Sequence, residues 1–245
     1  PFQTVAEAFI RITEKFPDNE AIVSANGERY SYRDLFRHVE SYVSILDGLG
    51  CGPGDRVAVW LSNRPEWAFA EYACAVMGVV LVPVNARFRA DEAQYVLAMA
   101  NVKVLITEPN FLTNDYVERL REIAGGSLGT DQQAHIERLP KLETIILVDD
   151  VRVAGTACLS ELAASAGEAP DLAALAVQRS ANDAAWVFWT SGSTGHPKGA
   201  VIPHHSIGNV CNWTTVAAQM GPDDRVLTSF PLFYVAGNFW CLLGA

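Results

Sequence analysis

The ten residues TSGSTGHPKG, from Thr190 to Gly199, gather three glycines, four hydroxyl side chains, one proline and one lysine. Glycines let successive backbone N–H groups turn toward one anion, hydroxyls donate further hydrogen bonds, and Lys198 adds a full positive charge. That is the composition of a phosphate cradle. A plain polar link between two strands draws on the same residue types. Pro197 favours a shaped loop, because proline fixes its own φ and restricts His196 before it. Spacing excludes several familiar alternatives. A Walker loop places Lys between Gly and Ser or Thr, whereas Lys198 lies between Pro197 and Gly199. Gly192, Gly195 and Gly199 fit neither a dinucleotide GxGxxG nor a nucleophile-elbow GxSxG. The His204–His205 pair has no carboxylate or cysteine at ligand spacing, so it reads as a cap for the helix that follows.

Strand-like and helix-like segments alternate along the chain, the order expected where helices cross over between parallel strands. Residues 21–24 and 29–31 flank a hairpin turn. Ser31 with Asp34 forms an approximate capping box for a helix whose stripe is Leu35, Val39, Tyr42, Leu46 and Leu49. Strands are expected at 56–61, 79–84, 102–107 and 144–148, with helices at 65–77, 90–100 and 114–123. Arg87, Arg89, Asp91 and Glu92 read as a solvated helix start. The stretch AGGSLGTDQQ predicts a mobile surface loop. AAWVFW and GAVIP, on either side of the glycine motif, read as strands, 204–220 as a helix, 225–229 as a strand and 235–245 as a helix. A weakening of apolar periodicity between Leu175 and Asp183 suggests two α/β subdomains, 1–175 and 176–245, the second carrying the glycine loop. The first residue is not Met, which suggests a processed or trimmed start. The apolar LLGA at the other end suggests truncation.

The chain has 245 residues, 50% hydrophobic, enough for a substantial core. A net charge of −10 with scattered Lys and Arg argues against a nucleic-acid surface or an anionic membrane face. The longest uncharged apolar stretch, 72–84, has 13 residues and contains Gly78 and Pro83, too short for a transmembrane helix. Five dispersed cysteines without a CxxC pair suggest neither a disulfide framework nor a zinc site, and a cytoplasmic protein is expected.

The segment WTSGSTGHPKGAVIPHHSI, 189–207, closely resembles the phosphate-binding signature of the acyl-adenylate-forming superfamily, which includes acyl-CoA synthetases, peptide-synthetase adenylation domains and firefly luciferase. RYSYRDL at 29–35, GPGDRVAVWLSNRPEWAFAEYAC at 52–74, GVVLVPVNARFRADEAQYVL at 78–97 and PLFYVAG at 231–237 are similar to segments found in the same order in acyl-CoA synthetases. The resemblance implies an α/β fold of stacked βαβ subdomains, with largely parallel sheets flanked by helices, as in the large domain of acetyl-CoA synthetase. The resemblance further implies that this domain is incomplete here and that the family's small C-terminal domain, with its catalytic lysine, is expected outside this chain.

The implied function is an AMP-forming acid–thiol ligase using ATP, Mg2+ and CoA, with a small carboxylic acid, fatty or otherwise apolar, as substrate. Two alternatives stay open: an adenylation domain that loads a carrier protein, and a non-catalytic nucleotide-binding remnant. The segment by itself is expected to be inactive, and homo-oligomerisation stays open. By match to the motif, Thr190, Ser191, Gly192, Ser193, Thr194, Gly195 and Lys198 surround the phosphates, and Lys198 also stabilises departing pyrophosphate. Tyr234 stands where the family usually carries histidine beside the acyl pocket. Tyr234, Gly237 and Asn238 are expected to line that pocket, while Phe239, Trp240 and Trp213 are more often ordinary core. No residue of this chain is assigned as a metal ligand. Ala86 replaces the proline of the family's common Asn-Pro pair at 85–86.

Overall fold

The computed structural model describes residues 4–190, 197–221 and 223–244. Helix α1 (Val5–Lys15) starts at Thr4, whose hydroxyl accepts the Glu7 N–H at 3.0 Å. The hairpin β1 (Glu20–Val23) and β2 (Arg29–Ser31) leads into α2 (Tyr32–Gly48) through the expected capping box: Asp34 N–H donates to Ser31 Oγ at 3.1 Å, and Ser31 N–H donates to Asp34 Oδ2 at 3.0 Å. Strand β3 (Arg56–Trp60), helix α3 (Pro65–Met77) and strand β4 (Val80–Pro83) form a βαβ unit. Pro65 suits the first turn of α3 because its missing N–H would have had no partner there, and Gly78 closes the helix at φ 72°. Helix α4 (Ala90–Met99) leads to β5 (Val104–Thr107), and α5 (Tyr116–Ala124) lies between two small hairpins. These are β6 (Asn110–Phe111) with β7 (Asn114–Asp115), and β8 (Gly129–Thr130) with β9 (Gln133–Ala134). The second hairpin gives ladder pairing to part of the AGGSLGTDQQ stretch expected as loop.

Strands β10 (Thr144–Leu147) and β11 (Ala157–Cys158), helices α6 (Leu159–Ser165) and α7 (Leu172–Ala176), strands β12 (Ala184–Thr190) and β13 (Lys198–Pro203), helix α8 (His204–Ala217) and a π-helical segment, Ala236–Leu242, complete the described chain. One seven-stranded sheet runs in the order β11-β10-β5-β3-β4-β12-β13, parallel throughout except for the antiparallel β12–β13 pair at its edge. Its inner strands are continuous apolar runs because helices cover both faces; every residue of β4, β5 and β10 is buried. The strands on either side of the division at residues 175 and 176 share this sheet. Strand β12 meets β4 at a single register pair, Trp186 opposite Leu81, yet pairs with β13 from Ala184 and Pro203 out to Thr190 and Lys198.

Two expectations are amended here: the strand at 225–229 is absent, and the helix expected at 235–245 is present in π-helical form. Residues 225–229 form no strand, since no described strand offers them a ladder, and Leu227 is 96% exposed. The terminal helix is π-helical, a widened turn that lets Gly237 lie against Pro231.

Candidate functional site

The parallel sense of β12 beside β4 decides where the glycine motif leaves the sheet. It emerges after Thr190, at the carboxyl ends of the parallel strands, the edge at which α/β sheets bind ligands. Ser191, Gly192, Ser193, Thr194 and Gly195 lie outside the described residues. The loop's two ends are fixed: Thr190 and Lys198 are Cα partners, both exposed, and Thr190 Oγ1 donates to the Lys198 carbonyl at 3.4 Å. Gly199 has a packing reason. A Cβ there would sit 2.9 Å from Val187 Cγ1 and 3.2 Å from the Trp189 ring, which covers the glycine from the partner strand.

Tyr234, Gly237 and Asn238 belong to one segment, 230–238, a turn that runs into the π-helical stretch and is held from three directions at the same edge of the sheet. Asn63, just past β3, clamps its start: Asn63 Nδ2 donates to the Phe230 carbonyl at 2.8 Å, and Leu232 N–H donates to Asn63 Oδ1 at 2.9 Å. Asn85, just past β4, donates to the Tyr234 hydroxyl at 3.3 Å. Tyr234 is half exposed. Gly237 is obligatory, because a Cβ would approach the Pro231 carbonyl oxygen to 2.3 Å. Asn238 is fully buried, with its amide donated to Glu71 Oε2 of α3 at 2.9 Å, so its side chain turns into the core. Phe239 follows, edge-on to Phe188 and Trp186 of β12 at 5.2 and 5.9 Å. Alternation along β12 puts Thr190 on the same face as these two aromatics. A cleft of about 520 Å³ flanks the hairpin, lined by residues including Tyr95, Met99, Val187, Trp189, Pro197 and Lys198; Tyr234, Gly237 and Asn238 do not line it.

Glu71 escaped the sequence reading, although one carboxylate inside the apolar run WAFAEYACAVM was a signal. Burial pushes its carboxyl up to about 8, with the Asn238 amide and the Trp186 indole opposing. Arg64, N-terminal to α3, also went unread. It bridges Glu66, Glu108 and Asp149 at 2.8, 3.1 and 3.0 Å, tying together the ends of β3, β5 and β10. The histidines do not cap α8. The N-cap is Pro203, and the backbone N–H groups of His204 and His205 bond back to Asp183 and Ala181. His204 is buried, its Nδ1 accepts the Val5 N–H at 3.4 Å, and burial pushes its imidazole down to about 4. Arg87, Arg89, Asp91 and Glu92 form the expected polar helix start, where Arg89 N–H donates to Glu92.

The sequence profile of the AMP-binding enzyme family matches residues 9–245, nearly the whole chain. The chain belongs to that family. Among relatives of this chain is the mitochondrial medium-chain acyl-CoA ligase ACSF2 of Rattus norvegicus, 32% identical over 246 residues, which cover 96% of this chain and 40% of that protein. The N-terminal domain of FACL13 from Mycobacterium tuberculosis superposes with a TM-score of 0.78 at 24% identity, over 99% of this chain and 55% of that one. The anthranilate CoA ligase AuaEII, solved with anthranoyl-AMP, gives 0.83 at 19% identity, over 99% and 44%. At those identities the two structures establish a shared fold. The chain spans about two fifths of the length of the curated relatives it matches. The rat protein's name places it in mitochondria, so the cytoplasmic expectation finds no support there. Among the described residues, no helix is long and apolar enough to cross a membrane.

Proposed function

We propose that this chain supplies the triphosphate-binding part of a ligase that joins a carboxylic acid, fatty or otherwise apolar, to CoA through an acyl-adenylate. One observation carries the reading: the TSGSTGHPKG motif connects β12 to β13 at the carboxyl edge of the sheet, with exposed Lys198 at its exit. Family membership supports it, as does the name of the rat relative, a medium-chain acyl-CoA ligase.

In the first step a carboxylate oxygen attacks the α-phosphorus of ATP and the bond to pyrophosphate breaks. In the second, the CoA thiolate attacks the acyl carbon and AMP leaves. Bringing an anion against a polyanion needs charge neutralisation and alignment more than covalent help. Lys198 neutralises the β- and γ-phosphates and the departing pyrophosphate, beside Thr190, Ser191, Gly192, Ser193, Thr194 and Gly195. Tyr234 and Gly237 border the acid. Asn238 acts behind them through its buried amide. Mg2+ would shield the phosphate charge, and no residue of this chain is assigned to hold it. Within this reading, residues 1–175 and 176–245 are successive subdomains of the AMP-binding domain.

The test is ATP–pyrophosphate exchange in the full-length protein across short, medium, long-chain and aryl acids. Lys198→Ala is expected to lower exchange on the order of 10²-fold, as loss of one charge-stabilising donor does. Exchange equal to the wild type's would end the assignment.

A further inference from the structure

Among the described residues six buried side-chain atoms lack a hydrogen-bond partner: Tyr42 OH, Glu71 Oε1, Trp186 Nε1, Trp189 Nε1, His204 Nε2 and Asn238 Oδ1. Two of them face a shared problem. Glu71 and Asn238 already share one hydrogen bond, Asn238 Nδ2 to Glu71 Oε2 at 2.9 Å, and each keeps one atom unpaired. The idle atoms are both oxygens, so two acceptors are left without a donor. A proton on Glu71 Oε1 would put a donor in the same side-chain pair as Asn238 Oδ1, and a carboxylic acid and a primary amide can close a ring of two hydrogen bonds. Nothing nearby favours the anion strongly. Glu71 is fully buried, and the ionisable groups that feel its charge, Tyr72 and Cys74 on α3 and Cys211 on α8, are acids themselves. The neighbours from other elements, Asn238 and Trp186, are neutral; the Trp186 indole N–H favours the anion but completes no hydrogen bond with it. An uncharged carboxyl can supply Asn238 Oδ1 with a donor; a carboxylate leaves that oxygen without one.

The consequence reaches the turn. Asn238 N–H donates to the Tyr234 carbonyl at 2.9 Å, and Tyr234 N–H donates to the Pro231 carbonyl at 3.1 Å, so the buried amide is the far anchor of the segment whose near end Asn63 clamps. We propose that Glu71 is a positioning residue for the acid's site: uncharged, and paired side chain to side chain with Asn238, it fixes the turn that carries Tyr234 and Gly237. The inference rests on the reading that these two residues border the acid.

Glu71→Gln keeps the shape and supplies an N–H toward Asn238 Oδ1, whereas Glu71→Ala leaves the amide unpaired. In the full-length protein, Glu71→Ala is expected to raise KM for the acid on the order of tenfold with KM for ATP unchanged, and Glu71→Gln to stay within about threefold of wild type. Raising the pH through about 8, where Glu71 ionises, raises the acid KM of the wild type and leaves that of Glu71→Gln flat. At neutral pH, difference infrared spectra of wild type against Glu71→Gln should show the carbonyl band of a protonated carboxylic acid. A carboxylate band instead, or equal damage from Gln and Ala, overturns the proposal. Amide hydrogen exchange across residues 231–242 judges the latch without substrate: faster exchange in Glu71→Ala and wild-type exchange in Glu71→Gln support it, and equal rates in all three overturn it. A latch intact by exchange in a protein showing no acid-dependent turnover refutes the functional reading alone.

Discussion

His204 makes the stability of this protein depend on pH in a defined direction. Its Nδ1 accepts the Val5 N–H, and a proton on Nδ1 would set two donors against each other. Burial adds the larger effect, pushing the imidazole from its ordinary 6.5 down to about 4, with Arg179 helping and Asp183 opposing. The folded state therefore binds its proton later than the unfolded chain. This group's contribution is complete above pH 6.5 and is lost as the pH falls toward about 4. Integrating the linkage between those two values gives a loss of about 2 kcal/mol between roughly pH 7.5 and pH 5. His204→Asn is the control, because its side-chain oxygen can take the place of Nδ1 as acceptor and does not titrate. The assay is urea unfolding followed by tryptophan fluorescence at several pH values, with the wild-type loss compared against that of the variant. The reasoning fails if both lose stability in parallel between those pH values, or if the wild type loses less than the variant.

Other perturbations follow from the same geometry. Gly199→Ala forces the Val187 and Trp189 side chains aside and should cost about 1–3 kcal/mol, with a shifted tryptophan emission, both read in one denaturation series. Arg64→Ala strands the nearly fully buried Glu108 with only Ser62 as partner and should destabilise by about 3 kcal/mol; Arg64→Ala combined with Glu108→Gln should lose less, which a double-mutant cycle measures.

The elements that place the site were legible where local chemistry and tertiary packing agree. The Ser31–Asp34 box, Pro65 at a helix start and the unbroken apolar runs of β4, β5 and β10 each point to one answer. Residues 225–229 were misread because VLTS has strand composition, but a strand exists only where a neighbour supplies its ladder. The His204–His205 pair was misread for a related reason. The carbonyls of Asp183 and Ala181, well back in sequence before strand β12, take the backbone N–H groups that a local reading gives to a cap. Asn63 and Asn85 gave no local signal, since an asparagine past a strand looks like turn chemistry until the segment it holds, more than a hundred residues on, is folded against it.

The β12–β13 ladder stays closed from Ala184 and Pro203 out to Thr190 and Lys198, four residues past the Trp186–Leu81 register pair and about 13 Å at strand rise. Under the function proposed above, Thr190 and Lys198 therefore present a span fixed by backbone pairing, so ligand affinity there should depend little on the side chains of the two strands' exposed faces.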